Sequence, residues 1–328
     1  MKIVDNSKES LPSVPEKSSL NWSGAGIQRV AAIGECMIEI TEREGAGLSY
    51  SFAGDTLNTA VYLAREFNDS GHKVDYVTAV GDDDFSQQMV KLWTDESVGT
   101  ELVTVIPGEL PGLYWVRTDS RGERSFFYWR KKTAAQKLME ATRAFGLAEQ
   151  LTHYNIIYLS GITLAILVKE SRELLLAMLD QLRRSGVLIV FDTNYRPKLW
   201  DSKQEAAFWI TRLAEIAHVA TVSFDDEHAV FGDGSTKETV ARLHATGVEE
   251  VIVKNGAKPC MVSDTQTLIE VPLKTIVKQV DTTAAGDSFN AGYINARIGG
   301  KGLQESVECA QKIAAMVVQF PGAVIPKS

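Results

Sequence analysis

The chain has 328 residues, of which 45% are hydrophobic and 23% charged, as expected for a soluble globular protein with one large α/β domain or two smaller ones. Its formal net charge of −8 argues against nucleic acid as the main partner, because phosphate backbones are bound by concentrated positive charge. Three widely separated cysteines and five histidines show no metal-ligand spacing, and unpaired cysteines favour a reducing, cytoplasmic location.

The first 26 residues are polar and lack the apolar core of a signal peptide. We therefore expect a loose tail at 1–26 and a folded domain at 27–328. The most apolar run, residues 154–168, is interrupted by Ser160 and Gly161 and is too short to cross a bilayer. No membrane contact is predicted.

From about Ile27, short apolar runs alternate with amphipathic ones. The apolar runs are rich in β-branched residues and continuous, as in parallel strands covered on both faces. They lie at 30–33, 74–80, 156–159, 187–191, 219–222 and 251–254. Helical patterns lie at 56–66, 85–96, 134–149, 169–185, 203–216 and 236–245. This alternation predicts a doubly wound, mostly parallel sheet.

Two stretches depart from the alternation of strands and helices. Residues 37–41 and 48–52 are strand-like and flank a glycine-containing turn at 44–47. Residues 113–119 and 124–130 alternate with a period of two around a turn at 120–123, which predicts a hairpin. Because no crossover helix joins these strands, we predict a small separate sheet that forms a lid, from about 37–53 and 101–131.

The segment at 52–58 follows a predicted strand and precedes a predicted helix. Gly54 permits close approach between the backbone and a ligand. Asp55 and Asn58 are three residues apart, so they share a helical face or flank its start. Such polar groups suit a polyhydroxylated ligand. The alternative is an ordinary helix start that is capped by Asp55 or Thr56.

The predicted hairpin carries aromatic and arginine side chains. Tyr114 lies on its first strand, and alternation places Tyr128 and Arg130 on one face and Trp129 on the other. An aromatic ring can cover the C–H groups of a sugar while a guanidinium forks onto a carboxylate, which suits a sugar acid. The alternative is an amphipathic hairpin with solvated arginines.

Two further polar segments follow buried strands, where ligands of open α/β sheets bind. Asn194 and Arg196 come just after the strand at 187–191 and are candidates for polar ligand contacts. A plain connection between elements is the alternative. Residues 254–258 end another strand and suit a nucleotide site, although a simple turn before a further strand fits them equally well.

Residues 281–292, DTTAAGDSFNAG, indicate a reaction as well as a site. The small residues open a predicted helix, whose unpaired N–H groups and dipole suit a phosphate. Asp287, in the first turn, would repel a phosphate that is merely bound. It fits a phosphate that is being transferred, where the carboxylate handles the acceptor hydroxyl. The segment therefore predicts a kinase.

Together these segments resemble the ribokinase-like (PfkB) family of carbohydrate kinases, from about residue 29 to 325. The run at 281–287 is similar to the family's DTxGAGD signature, and 54–58 is similar to its substrate-binding glycine motif. The runs that resemble the branch acting on 2-keto-3-deoxygluconate lie at 33–39, 110–114, 127–130 and 192–200. The resemblance implies a three-layer α/β/α sandwich with a mostly parallel central sheet and a small β-sheet lid.

The resemblance also implies a role for each candidate residue. Asp287 would be the general base, and the anion hole would consist of the N–H groups of Ala284, Ala285, Gly286 and Asp287. Sugar hydroxyls would be held by Gly54, Asp55 and Asn58, and the acid end by Asn194 and Arg196. The residues that would reach the sugar from the lid are Tyr114, Tyr128 and Arg130. The residues that would lie along ATP are Ser223, Lys254, Asn255, Gly256, Lys258, Ala284 and Gly286.

Two positions depart from the family pattern. Ala284 stands where the signature has glycine, and alanine adopts a positive φ less readily. The family often carries an Asn-x-x-Glu motif that organises Mg²⁺ through water. Here Glu227 is present, but Phe224 stands in place of the asparagine. Glu227 is therefore an indirect metal candidate.

The position of Asp287 at a helix start also bears on its basicity. The helix dipole should stabilise the ionised carboxylate and make it a weak base. Phosphoryl transfer tolerates a weak base, because its transition state is loose and proton transfer comes late. Positioning and charge stabilisation would then provide most of the catalysis.

The resemblance implies ATP-dependent phosphorylation of 2-keto-3-deoxygluconate at its terminal hydroxyl, with Mg²⁺ and, as a further candidate, a monovalent cation such as K⁺. Arg130 and Arg196 favour this acidic sugar over the neutral substrates of a fructokinase or ribokinase, which is the nearest alternative. A catalytically silent sugar-acid sensor is the alternative from another class. Exposed lid strands favour a homodimer through the lid.

Overall fold

The structure of the protein, a computed structural model, describes residues 20–22, 26, 28–43, 47–68, 70–118 and 124–327. Most of the predicted tail at 1–26 and the predicted turn at 120–123 lie outside these residues, as does all of the turn at 44–47 except Gly47. None of the helices in the described ranges is both long and apolar enough to span a membrane.

The strands in the described residues form two separate sheets. In chain order they are β1 (Arg29–Ile33), β2 (Met37–Arg43), β3 (Gly47–Ala53), β4 (Lys73–Val80), β5 (Val103–Val105), β6 (Gly112–Thr118), β7 (Arg124–Trp129), β8 (Ile156–Ser160), β9 (Leu188–Asp192), β10 (Val219–Ser223), β11 (Glu250–Lys254), β12 (Cys260–Asp264) and β13 (Leu268–Val271). The larger sheet has the order β13-β12-β11-β10-β9-β8-β1-β4-β5, and the smaller one β3-β2-β6-β7.

Most helices lie between strands in the chain, and the last two follow β13. The helices are α1 (Asp55–Glu66), α2 (Asp84–Asp95), α3 (Ala141–Leu151), α4 (Gly161–Ile166), α5 (Lys169–Arg184), α6 (Lys203–Ala214), α7 (Phe224–Phe231), α8 (Thr236–Ala245), α9 (Ala285–Ile298) and α10 (Leu303–Val317). Short 3₁₀ helices lie at Ala134–Lys137 and Pro197–Leu199.

The larger sheet is covered on both faces, so the chain forms a three-layer α/β/α sandwich. Seven neighbouring strands of this sheet pair in parallel, in the order β11, β10, β9, β8, β1, β4 and β5. The strands β12 and β13 are antiparallel at one edge. Within β1, Ala31 and Ile33 face the core beneath α3 to α8, while Val30 and Ala32 face the core beneath α1, α2, α9 and α10. Alternate side chains of a buried strand thus supply both cores, as the continuous apolar runs predicted.

The smaller sheet has two chemically different faces. Ser51, Glu39, Tyr114 and Tyr128 are neighbours in register across its four strands, so they form one polar row. The opposite face is apolar and contains a depression of about 380 Å³ lined by Ile40, Leu48, Leu113, Trp115 and Trp129. The predicted division between Tyr128 and Trp129 is confirmed. Residues 103–105 form β5 of the larger sheet, so the second lid segment begins at Gly112.

Candidate active site

The candidate site lies at the carboxyl edge of the larger sheet, where ligands of open α/β sheets bind. Asp192, Ser223 and Lys254 are the last residues of the neighbouring parallel strands β9, β10 and β11. The starts of α1 and α9 meet at this edge, because Asn58 of α1 is hydrogen bonded to Asp287 of α9.

The helix α9 follows a backbone conformation that is rare for alanine. Ala284 precedes the helix with φ of 60° and ψ of 14°, in the left-handed region. Asp281 fixes the preceding turn: its carboxylate accepts from the N–H of Thr283 at 2.9 Å and from the N–H of Gly322 at 2.9 Å. Alanine thus keeps the shape that glycine would adopt more readily, at a cost in free energy.

At the start of α9, the N–H of Ala285 donates to the carbonyl of Thr282 at 3.2 Å, whereas those of Ala284, Gly286 and Asp287 have no partner among the described residues and are available to a ligand. No side chain in the described part of the chain caps this helix. A side chain at Gly286 would begin 3.5 Å from the ammonium of Lys254, so a cation lies beside the helix start. Uncapped N–H groups, the helix dipole and a nearby ammonium all favour an anion.

Asp287 is a half-buried carboxyl group in the first turn of α9. Its Oδ2 accepts a hydrogen bond of 2.8 Å from Nδ2 of Asn58. Its pKa is raised from 3.8 to about 7, first by burial and then by the charge of Asp55, while the hydrogen bond from Asn58 opposes the rise. The expectation that the helix dipole makes Asp287 a weak base is therefore wrong in direction, because burial outweighs the dipole.

Asp55 joins the start of α1 to the loop after β9. Its Oδ2 accepts a hydrogen bond of 2.6 Å from Nδ2 of Asn194, which has a positive φ of 35°. None of the described side chains caps α1, so the alternative of a cap by Asp55 or Thr56 is wrong. A Cβ at Gly54 would lie 2.1 Å from the carbonyl oxygen of Glu35. Gly54 is therefore required for packing against protein backbone.

A buried polar network supports the site from below. Asp192 accepts hydrogen bonds from Nζ of Lys254 at 2.6 Å and from Nδ2 of Asn290 at 2.8 Å. Asn290 also donates to the hydroxyl of Tyr158 at 2.9 Å. The hydroxyl of Thr59 donates to the backbone carbonyl of Asp287 at 3.2 Å and lies 3.3 Å from the hydroxyl of Tyr158. The network connects β8, β9, β11 and α1 to the helix that carries Asp287.

The candidate residues of the lid contact buried carboxylates. The hydroxyl of Tyr114 donates to Glu39, and the ring of Tyr114 stacks on Tyr128 with centroids 5.8 Å apart. Burial, followed by the charge of Glu39, raises the pKa of Tyr114. Arg130, which follows β7, forms an ion pair with Glu35.

The candidates for the nucleotide lie farther along the same edge. Ser223 caps α7 by accepting from the N–H of Asp226 at 3.3 Å, and it is the register neighbour of Lys254. Asn255 and Lys258 close a turn between β11 and β12 through a 2.9 Å backbone hydrogen bond, and Gly256 has a φ of 56°. The alternative of a simple turn is confirmed, and it lies beside Lys254 of the site.

Arg196 and Glu227 differ in exposure. Arg196 is exposed, and its Nη1 donates to the carbonyl of Tyr195 at 3.0 Å. Glu227 is fully buried and forms an ion pair with Arg242. Burial raises the pKa of Glu227 to about 7.

No group of three or more potential metal ligands occurs among the described His, Cys, Asp and Glu residues.

Several residues of the site were not found from the sequence. They are Glu35, Glu39, Thr59, Tyr158, Asp192 and Asn290. The sequence pattern could have indicated two of them as site residues. Asn290 lies three residues after Asp287 and so shares its helical face, and Asp192 ends a buried strand. The buried glutamates had no such signal, because their partners are remote in sequence.

Comparison with known proteins agrees with this arrangement. Residues 27–328 match the model of the pfkB family of carbohydrate kinases. The chain belongs to this family.

Among curated proteins, the chain is 44% identical over 303 residues to 2-dehydro-3-deoxygluconokinase of Escherichia coli K12, covering 92% of this chain and 98% of the relative. It is 43% identical to the enzyme of that name from Dickeya dadantii, over 91% and 97% of the two chains. A crystal structure of 2-dehydro-3-deoxygluconokinase from Thermotoga maritima has the same fold, with a TM-score of 0.79, 20% identity and coverage of 91% and 96%.

Proposed function

We propose that this protein transfers the γ-phosphoryl group of ATP to the terminal hydroxyl of 2-keto-3-deoxygluconate, also called 2-dehydro-3-deoxygluconate. The observation that carries the proposal is Asp287, whose pKa of about 7 suits a base, beside the uncapped start of α9. The choice of sugar rests on relatives of that activity that are 41% to 44% identical over most of the chain.

The residues would divide the reaction between them. The acceptor oxygen attacks the γ-phosphorus, ADP leaves, and the hydroxyl proton passes to the carboxylate of Asp287. The N–H groups of Ala284, Gly286 and Asp287 would hold the transferred phosphoryl, while that of Ala285 is bonded to Thr282. Asp55 and Asn58 would bind sugar hydroxyls, and the lid would exclude water that competes as acceptor.

The nucleotide would lie along Ser223, Lys254 and the turn to Lys258, with Mg²⁺ bound to its phosphates. Asp226 fits a nearby cation: its pKa is raised by burial and by the charge of Asp192, so a dication would relieve this repulsion. Mg²⁺ would supply charge neutralisation of the phosphates. Glu227 would act only through other groups, because it is fully buried.

We also propose that a monovalent cation such as K⁺ supports the reaction. Comparing turnover in K⁺ and Na⁺ buffers tests this role.

A coupled ADP-release assay with 2-keto-3-deoxygluconate tests the function. Wild type should turn over, and Asp287→Asn should lose about 10²- to 10⁴-fold in kcat, the usual contribution of general-base catalysis. Asp95→Asn is the matched control, because Asp95 lies in an exposed ion pair with Lys91. Equal, negligible turnover in wild type and Asp287→Asn would refute the kinase and leave the silent sensor.

A fructokinase is the second candidate, because the fructokinase of Klebsiella pneumoniae is 25% identical over 90% of this chain. A substrate panel with the gluconate and galactonate epimers, fructose and ribose separates these activities. Higher kcat/KM for fructose would overturn the choice of sugar and leave the kinase standing.

We also propose a homodimer through the apolar face of the lid. Leu48 and Trp129 on that face are 68% and 59% exposed, and contiguous exposed apolar side chains mark interaction surfaces. Among the described residues, β3 and β7 are the edge strands of the small sheet. We propose a cytoplasmic location, because Cys36, Cys260 and Cys309 are free cysteines and a reducing compartment keeps thiols unpaired.

A further inference from the structure

Arg130 uses only one edge of its guanidinium within the described part of the chain. Its Nε donates to Oε2 of Glu35, and its side chain is 13% exposed. Nη1 and Nη2 have no hydrogen-bond partner among the described residues. Neither Nη atom is among the buried polar atoms that lack a partner, so this edge is accessible to a ligand that supplies hydrogen-bond acceptors.

Glu35 is held firmly in place. Its side chain is 1% exposed, and its Oε1 accepts a 2.5 Å hydrogen bond from the hydroxyl of Thr133. Its backbone carbonyl packs against Gly54, where a Cβ would come within 2.1 Å. Glu35 is therefore fixed next to the segment that we assign to the sugar, and it is too buried to contact a ligand itself.

The backbone that carries Arg130 is fixed as well. Gln136 donates through Nε2 to the carbonyl of Arg130 at 3.1 Å, and its Oε1 accepts from the N–H groups of Lys132 and Thr133 at 3.1 and 3.3 Å. Lys132 has a φ of 62°, so the turn has a specific shape. Both partners of the ion pair are thus immobilised by their own contacts.

We propose that Glu35 is a positioning residue that binds Nε of Arg130, so that Nη1 and Nη2 are presented to the carboxylate of the sugar acid. The inference rests on the proposed function and adds the source of its acid specificity. A guanidinium binds a carboxylate best through two parallel N–H···O bonds. Because Glu35 occupies Nε, the end formed by Nη1 and Nη2 remains for such a fork.

A double-mutant cycle in the full-length enzyme tests this role. Glu35→Gln keeps the size of the side chain but removes its charge, so it should raise KM for 2-keto-3-deoxygluconate about 10-fold, with kcat and KM for ATP within about 3-fold. Arg130→Ala should raise the same KM about 100-fold. The double variant should be no worse than Arg130→Ala, because Glu35 acts through Arg130.

Two further variants separate positioning from folding. Glu96→Gln is the control, because Glu96 pairs with Arg65 at 2.8 Å in a largely buried ion pair at the opposite end of α1 from Asp55 and Asn58. It should lower Tm without changing KM for the sugar. If Glu35→Gln does not fold, Glu35→Asp keeps the charge on a shorter side chain, and it should still raise KM for the sugar alone.

The outcomes distinguish the inference from the function on which it rests. Suppose that wild type turns over the sugar acid, but the losses in the double variant are additive or both KM values rise equally. This result overturns the role of Glu35 only. Wild type that does not turn over the sugar acid overturns the proposed function and the inference together.

Discussion

Asp287 is subject to two opposing effects at one position. The start of α9 favours its negative charge, whereas burial and the neighbouring Asp55 disfavour it. Burial is the larger effect, because the pKa lies at about 7. A base with this pKa is matched to proton transfer at neutral pH. The carboxyl group can therefore be ionised before the reaction and still hold the proton that it receives.

The pH dependence of the reaction follows from this pKa. Because only ionised Asp287 accepts the proton, kcat/KM should fall about tenfold per pH unit below about 7 and level off above it. Asn58→Leu removes the hydrogen bond that favours the ionised form, so it should move the midpoint upward by about 1 pH unit. A profile that is flat from roughly pH 5.5 to 8.5 would contradict the assignment.

Ala284 predicts a stabilising substitution. Ala284→Gly should raise the free energy of unfolding by about 1 kcal/mol, because glycine adopts a positive φ without the steric cost borne by alanine. Thermal unfolding should show a higher Tm. Ala296→Gly, in the regular part of α9, should instead lower stability by about 1 kcal/mol. A lower Tm for both variants would show that the conformation of Ala284 is not strained.

At the scale of elements, α9 is fixed at both ends. Its first turn contacts α1 through Asn58, and its second half is held by Glu250 of β11, which is 1% exposed. Glu250 accepts hydrogen bonds from the hydroxyl of Tyr293 at 2.7 Å and from Arg297 at 2.8 Å. Trp22 adds a bond of 3.3 Å from outside the sheet. The helix that positions Asp287 is thus anchored to a central strand.

Glu250→Gln should therefore destabilise the protein. It leaves Arg297 without its buried partner, so the free energy of unfolding should fall by about 3 kcal/mol in denaturant titration. Tyr293→Phe removes one neutral donor and should cost only about 1 kcal/mol. Equal losses for both variants would show that the charge of Glu250 is not the important feature.

The elements themselves were largely predictable from the sequence. The continuous apolar runs predicted six of the parallel strands within two residues, because strands buried on both faces need apolar side chains throughout. The short parallel edge strand β5 was wrongly assigned to the lid. The short helices α4 and α7 were missed, since six to eight residues give little periodicity. The longer helix α10 was missed as well. The helix expected at 134–149 is divided, because a 3₁₀ helix at Ala134–Lys137 precedes α3 and leaves Leu138 and Met139 buried between them.

The candidate site was predictable only in part. Motifs placed Asp287, Asp55 and Asn194 at element ends, and the structure brings these residues to one edge of the sheet. The raised pKa of Asp287 was not predictable, because it depends on burial by remote segments. The ion pair of Arg130 with Glu35 spans 95 positions in sequence, and no local pattern specifies such a partner.

At the scale of the whole molecule, the apolar face of the lid predicts self-association. Wild type should sediment as a dimer, and Trp129→Asp should sediment as a monomer, because a charge would be buried in the interface. Phe208→Asp is the matched control: Phe208 is 55% exposed on α6, away from the lid, so the dimer should persist. A wild type that stays monomeric at working concentration would refute the dimer.

The hydrogen bond between Asn58 and Asp287 joins residues 229 positions apart, which has a consequence for how the chain folds. Asp55 and Asn194 are separated by 139 positions. Contacts of such separation form late, because closing long loops precedes any gain from the contact. During refolding, recovery of catalytic turnover should therefore lag behind recovery of helical circular dichroism. A nascent chain would gain its base and its sugar site together, only after nearly all of it has been synthesised.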